Sequence, residues 1–124
     1  MRRLAFLLCL LGGPAAATGL EIDIAGEADG TVVIDLFEDV APQHVDRITR
    51  LAREGAYDDV VFHRVIDGFM AQTGDVEFGR MGQDMRYAGR GGSAYADLPL
   101  EASGLPFARG TVGMARGRDE DSAN

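Results

Sequence analysis

Apolar and acidic residues alternate along Leu20, Glu21, Ile22, Asp23 and Ile24. A period of two predicts a strand with one covered face. Asp29-Gly30 is a turn dipeptide, and the β-branched and apolar run over 31–37 predicts a second strand that pairs with the first. After Pro42, which suits the first position of a helix, the period lengthens. Val45, Ile48, Leu51 and Ala52 share one helical face, and Asp46 and Arg50 are placed to pair on the other. Gly55 is placed to close that helix. A second strand–turn–strand unit follows. Val60-Val61-Phe62 leads into His63-Arg64-Val65, Asp67-Gly68 forms a two-residue turn, and Phe69-Met70-Ala71 is the return strand.

The pattern changes over 74–100, which holds six glycines (74, 79, 82, 89, 91 and 92) and little apolar periodicity. A stretch of this length predicts an ordered surface loop with a role of its own. Strand character returns over 111–115, and the chain closes on a polar stretch, 117–124, without an internal repeat anywhere. Strand, strand, helix, hairpin, glycine-rich loop, strand is the order of an antiparallel barrel with a helix at one end. About five strands do not close a barrel, so the expected domain is mainly β and incomplete, with further strands beyond Asn124.

Bulk properties narrow the possible partners. The chain has 124 residues, one small domain's worth, with 20 acidic residues against 12 arginines and no lysine. A net charge of −8 disfavours nucleic acid and an anionic membrane surface. The N-terminus reads as a targeting segment: Arg2 and Arg3, an apolar core over 4–11, then Ala15-Ala16-Ala17. The expectation is a signal peptide over 1–17, cleaved after Ala17, with the folded domain over 20–124. Export across the inner membrane to the periplasm follows, with no stable membrane insertion after cleavage, because the apolar stretch is too short to span a bilayer. Cleavage removes Arg2 and Arg3, which moves the net charge from −8 to −10. It also removes Cys9, the sole cysteine, so neither a disulfide nor a thiolate metal site is expected. With His44 and His63 the only histidines, no metal site is expected either.

The central hairpin carries the candidate chemistry. Arg64, Phe69, Met70 and Gln72 lie within nine residues, and such side chains build an apolar pocket with a cation and an amide at its lip. Each has a plainer reading: a salt bridge for Arg64, core packing for Phe69 and Met70, a solvated strand end for Gln72. Phe62 reads as core, His63 as a structural histidine, and His44 as a residue of the helix surface. Gly91-Gly92 reads as ordinary loop punctuation.

Residues 60–75, VVFHRVIDGFMAQTGD, fit the pattern FHRxIxGFMxQxGD, which strongly resembles the signature of cyclophilin-type peptidyl-prolyl isomerases. Residues 41–58 fit APxxVxRxxxLxxxGxYD, which resembles the family's first helix and its exit. GTVGMAR followed by DSAN resembles the next signature, which in the family runs on into a Ser-Gln-Phe-Phe strand. The resemblance implies an eight-stranded antiparallel barrel capped by two helices, of which this chain carries the first helix and about five strands. It implies catalysis of X-Pro bond rotation, with Arg64 as the catalytic arginine and Gln72 orienting the substrate backbone. Phe69 and Met70 match the floor of the proline pocket. Met114, Ala115 and Arg116 match a strand bordering the substrate groove, with Arg116 where many members have asparagine. No cofactor is implied. The implied partners are proline-containing segments of client proteins, and the complete protein is expected to be monomeric. The alternatives are a non-catalytic module that grips proline-containing peptides and an inactive fragment. A hydrolase built on His63 with Asp67 or Asp75 lacks a nucleophilic cysteine or a serine elbow.

Overall fold

The computed structural model describes residues 18–124. The expected leader, 1–17, lies outside the described residues. The described chain divides into two compact units, the first ending at Leu36 and the second Phe37–Asn124.

In the first unit, β1 (Gly19–Ile24) pairs antiparallel with β2 (Gly30–Asp35), from Gly19 opposite Asp35 to Ile24 opposite Gly30. The alternation along β1 does what its period predicts. Leu20, Ile22 and Ile24 are half-buried, and Glu21 and Asp23 are exposed. Thr31 Oγ1 donates to Asp23 Oδ1 at 2.8 Å across the ladder. The turn differs from expectation. Gly30 already pairs with Ile24, so 25–29 form a five-residue loop, closed by Gly26 N donating to Asp29 Oδ1 at 3.0 Å. β2 ends at Asp35, short of Phe37.

The second unit opens with α1 (Pro42–Arg53), whose proline occupies the first turn as expected. Val45 and Leu51 are buried, and Ile48 and Ala52 half-buried. The helix ends in a left-handed closure. Gly55 takes φ 70°, its N–H donates to Ala52 O, and Ala56 N–H donates to Leu51 O. Arg50 pairs with Glu54 at 3.1 Å rather than with Asp46. Its guanidinium also lies 4.2 Å over the Tyr95 ring, whose hydroxyl donates to Glu54 at 2.6 Å. An i,i+4 partner one turn later thus wins because Tyr95 braces both groups.

β3 (Arg64–Ile66) and β4 (Met70–Gln72) form the second antiparallel pair, and a 3-10 turn, Met85–Tyr87, interrupts the glycine-rich stretch. That stretch is pinned at both ends by isolated bridges, Val60 with Arg80 and Leu98 with Ala123. The buried apolar side chains of the unit are few: Val45, Leu51, Leu98 and Ala123.

The architecture is therefore mainly β, with few strands, one α-helix and no closed barrel among the described residues. One expected strand is missing. Residues 111–115 are irregular, because no described backbone pairs with them and a strand exists only through a ladder partner. Phe62, expected in the core, is 37% exposed.

Candidate functional site

The central hairpin turns over three residues, not two. Asp67, Gly68 and Phe69 form the loop, Phe69 N donates to Ile66 O at 3.0 Å, and Gly68 adopts φ 70°, a left-handed position open to glycine. The extra residue decides the register. A two-residue loop would pair Ile66 with Phe69 and set Arg64 opposite Ala71. The observed loop pairs Ile66 with Met70, Val65 with Ala71, and Arg64 with Gln72. Directly opposed residues project to the same face of an antiparallel pair, so Arg64, Ile66, Met70 and Gln72 share one face.

Three of the four hairpin candidates, Arg64, Met70 and Gln72, are thus brought together. Phe69 belongs to the loop instead of the return strand and is 77% exposed. Arg64 is exposed, whereas Met70 and Gln72 are half-buried. Arg64 takes part in no ion pair among the described residues, so the salt-bridge explanation for its presence is not realised there. Met114, Ala115 and Arg116 lie on the irregular segment. Met114 is half-buried, Ala115 and Arg116 are exposed, and the Arg116 guanidinium donates to Gly117 O at 3.3 Å. No described hydrogen bond joins them to the hairpin. A cleft of about 380 Å³ lies elsewhere, lined by Pro42, Gln43, Asp46, Arg47, Tyr95 and Leu98 together with Arg50.

The open end of the hairpin is tightly organised. Thr73 Oγ1 donates to Val61 O at 2.9 Å, linking the two strand extensions. The half-buried His63 lies against Gly89: a Cβ on Gly89 would meet the imidazole Cδ2 at 2.7 Å. The buried His63 Nδ1 has no hydrogen-bond partner among the described residues.

Asp75 has a place in the fold that pattern reading, which weighed it only as a hydrolase partner of His63, did not show. It is only 5% exposed, and its two carboxylate oxygens accept five backbone N–H groups. Oδ1 takes Glu77 at 3.0 Å and Phe78 at 2.9 Å; Oδ2 takes Gly89 at 2.7 Å, Arg90 at 3.1 Å and Gly91 at 3.0 Å. Burial pushes this carboxyl upward, but the N–H groups of Phe78, Gly91, Gly89 and Glu77 together hold it below its ordinary value. The available signal was an aspartate at a strand exit followed by glycine-rich chain, a composition that gathers free N–H groups around an anion.

No group of three His, Cys, Asp or Glu side chains suited to a metal occurs among the described residues. No described helix is long and apolar enough to cross a membrane.

The family model for cyclophilin type peptidyl-prolyl cis-trans isomerase matches residues 20–124. The chain belongs to this family. A Brucella suis protein named "Probable peptidyl-prolyl cis-trans isomerase" is 60% identical over 98 residues, covering 77% of this chain and 50% of that protein. Escherichia coli peptidyl-prolyl cis-trans isomerase B is 38% identical over 95 residues, 76% of this chain and 52% of that protein. A Synechococcus elongatus peptidyl-prolyl cis-trans isomerase is 37% identical over 86 residues, 69% and 52%. The chain spans about half the length of these curated relatives. No solved structure matches it at comparable significance. In this chain the β3–β4 hairpin and the chain that brackets it hold the candidate site.

Proposed function

We propose that this cyclophilin chain carries the catalytic hairpin of a peptidyl-prolyl cis-trans isomerase that accelerates protein folding. The observation that carries the proposal is the direct pairing of Arg64 with Gln72, with Met70 on the same face. Rotation about an X-Pro bond is opposed by amide resonance, with a barrier of about 18–20 kcal/mol, and exchanges over tens of seconds or more unaided. In the twisted state the imide nitrogen becomes pyramidal and regains its lone pair. A guanidinium held beside that nitrogen stabilises the twisted state more than either planar one, and that difference is what accelerates the rotation. Arginine suits the task because it stays charged and presents a planar donor fork.

In this mechanism Gln72 holds the substrate backbone against the same face as the Arg64 donor. Met70, on that same face, receives the proline ring, and a water-poor contact there favours the less polar twisted amide. Met114, Ala115 and Arg116 border the bound peptide, with Arg116 acting mainly through its backbone. No proton moves, so His63 is not part of the chemistry. The substrates are proline-containing segments of client proteins. The leader over 1–17 carries the chain across the inner membrane to the periplasm, where the complete protein acts as a monomer without cofactor or metal. Nucleic acid is not a partner of so acidic a chain.

The test is cis–trans exchange in a short proline peptide followed by NMR exchange spectroscopy. Acceleration by the chain that vanishes in Arg64→Ala supports the proposal. Peptide binding without acceleration would instead assign a non-catalytic proline-binding module.

A further inference from the structure

The segment 89–91 lies across the open end of the β3–β4 hairpin, the end that carries the Arg64–Gln72 pair. On one side is His63, the residue before Arg64, whose imidazole leaves no room for a side chain at Gly89. On the other side is Asp75, three residues beyond Gln72, whose Oδ2 accepts the N–H groups of Gly89, Arg90 and Gly91. The packing at this joint is close. A Cβ on Gly91 would fall 2.5 Å from Asp75 Oδ1 and 2.6 Å from Glu77 Cβ. Glu77 adds a strut, its Oε2 accepting Gly92 N at 3.2 Å.

We infer that Asp75 is a positioning residue: by binding 89–91 it ties that segment across both strand extensions and so fixes the Arg64–Gln72 pair. Arg64 and Gln72 form the last pair of a three-residue ladder. A two-stranded ladder this short has little hold on its own terminal pair. Its open end is held by Thr73 on Val61, by His63 on Gly89, and by the Asp75 carboxylate. The Asp75 contacts dominate in number and are charge-assisted. The consequence for turnover rests on the isomerase reading; the coupling of Asp75 to Arg64 and Gln72 does not.

Asp75→Asn keeps the shape but leaves one acceptor oxygen where two N–H clusters converge, so an amide NH2 must face donors. Gly91→Ala keeps the carboxylate and wedges the joint sterically. NMR on the full chain compares the two variants with the parent. The expected result has two parts. Amide exchange at 89–91 speeds up by at least about tenfold in both variants, with α1 amides unchanged. The Arg64 Nε–Hε and Gln72 side-chain amide resonances move in parallel.

In the proline-peptide assay, kcat is expected to fall more than KM rises, since the reacting geometry is disturbed and the pocket side chains remain. Loss of protection at 89–91 with Arg64 and Gln72 resonances unmoved overturns the inference. So does an unchanged 89–91 segment in Asp75→Asn. Should Asp75→Asn fail to fold, Gly91→Ala decides by the same two readings. A parent chain that does not accelerate exchange overturns the isomerase reading alone, and the resonance comparison still decides the role of Asp75.

Discussion

Glu101 closes the N-terminus of α1, where His44 is the third helical residue. Its carboxylate accepts the N–H groups of Gln43 and His44 at 3.0 Å each and meets His44 Nδ1 at 2.5 Å. Ala41, at the cap position, has no side-chain oxygen to offer, so a residue far along the chain supplies the acceptor. His44 is therefore a partner of Glu101 with a side chain only 12% exposed, not the surface residue that its helical position suggests.

The cap makes a pH prediction. Burial pushes the Glu101 carboxyl up, but the His44 ring and the N–H groups of Gln43 and His44 bring it down to about 2 from an ordinary 4.5. A carboxyl lowered by folding stabilises fully above its unfolded value and loses that contribution as pH falls toward its folded one. Thermal melts should hold steady above pH 4.5 and decline between there and about 2. Glu101→Gln should lower stability at neutral pH by about 0.5–2 kcal/mol, the usual worth of a helix cap, and flatten that acid decline. An identical acid limb in the variant and the parent would remove Glu101 from this account.

The closure at the other end of α1 depends on a residue without a side chain. Gly55 has φ 70°, and a Cβ there would meet Asp58 Oδ2 at 3.0 Å. Gly55→Ala should cost about 1–2 kcal/mol through the left-handed backbone alone, seen as a melting point lower by several degrees. The far-UV helix signal should be retained. A variant as stable as the parent would mean that the chain closes the helix another way.

Arg64 and His63 are neighbours with opposite expected roles. Arg64→Ala should reduce turnover of a proline peptide by about 10²–10³-fold, the effect of removing one donor aimed at a transition state, with little change in melting temperature. Arg64→Lys should not restore it, because an ammonium lacks the planar fork. His63→Ala should lower stability, since its ring packs on Gly89, and should cost turnover in the folded fraction far less than Arg64→Ala does. Normal turnover in Arg64→Ala together with lost turnover in folded His63→Ala would reverse the assignment.

Export is checked directly. Expressed with its leader, the protein recovered from the periplasm should begin at Thr18, as read by intact-mass and N-terminal peptide analysis. Recovery of full-length chain in the cytoplasm alone would refute the leader.

Local pattern determined the elements that depend on near neighbours. The β1 alternation, the helix with its proline start and glycine end, and a hairpin around Asp67-Gly68 are all legible, because period and turn chemistry act within a few residues. Arg64, Met70 and Gln72 are legible as near neighbours in that hairpin, but not as one face of it. What the pattern left open, the tertiary structure decided. A three-residue loop in place of two fixed which residue faces Arg64, a one-residue difference that flips a whole strand. Residues 111–115 carry strand composition without a strand, since composition cannot supply a ladder partner. Arg50 chose Glu54 because Tyr95, 45 positions after Arg50, braces both. Asp75 and Glu101 bind backbone N–H groups at separations of 14 to 16 and 57 to 58 residues. Their carboxylates resemble any other among the 20 acidic residues of the chain, and only the folded path of the backbone brings the donors to them.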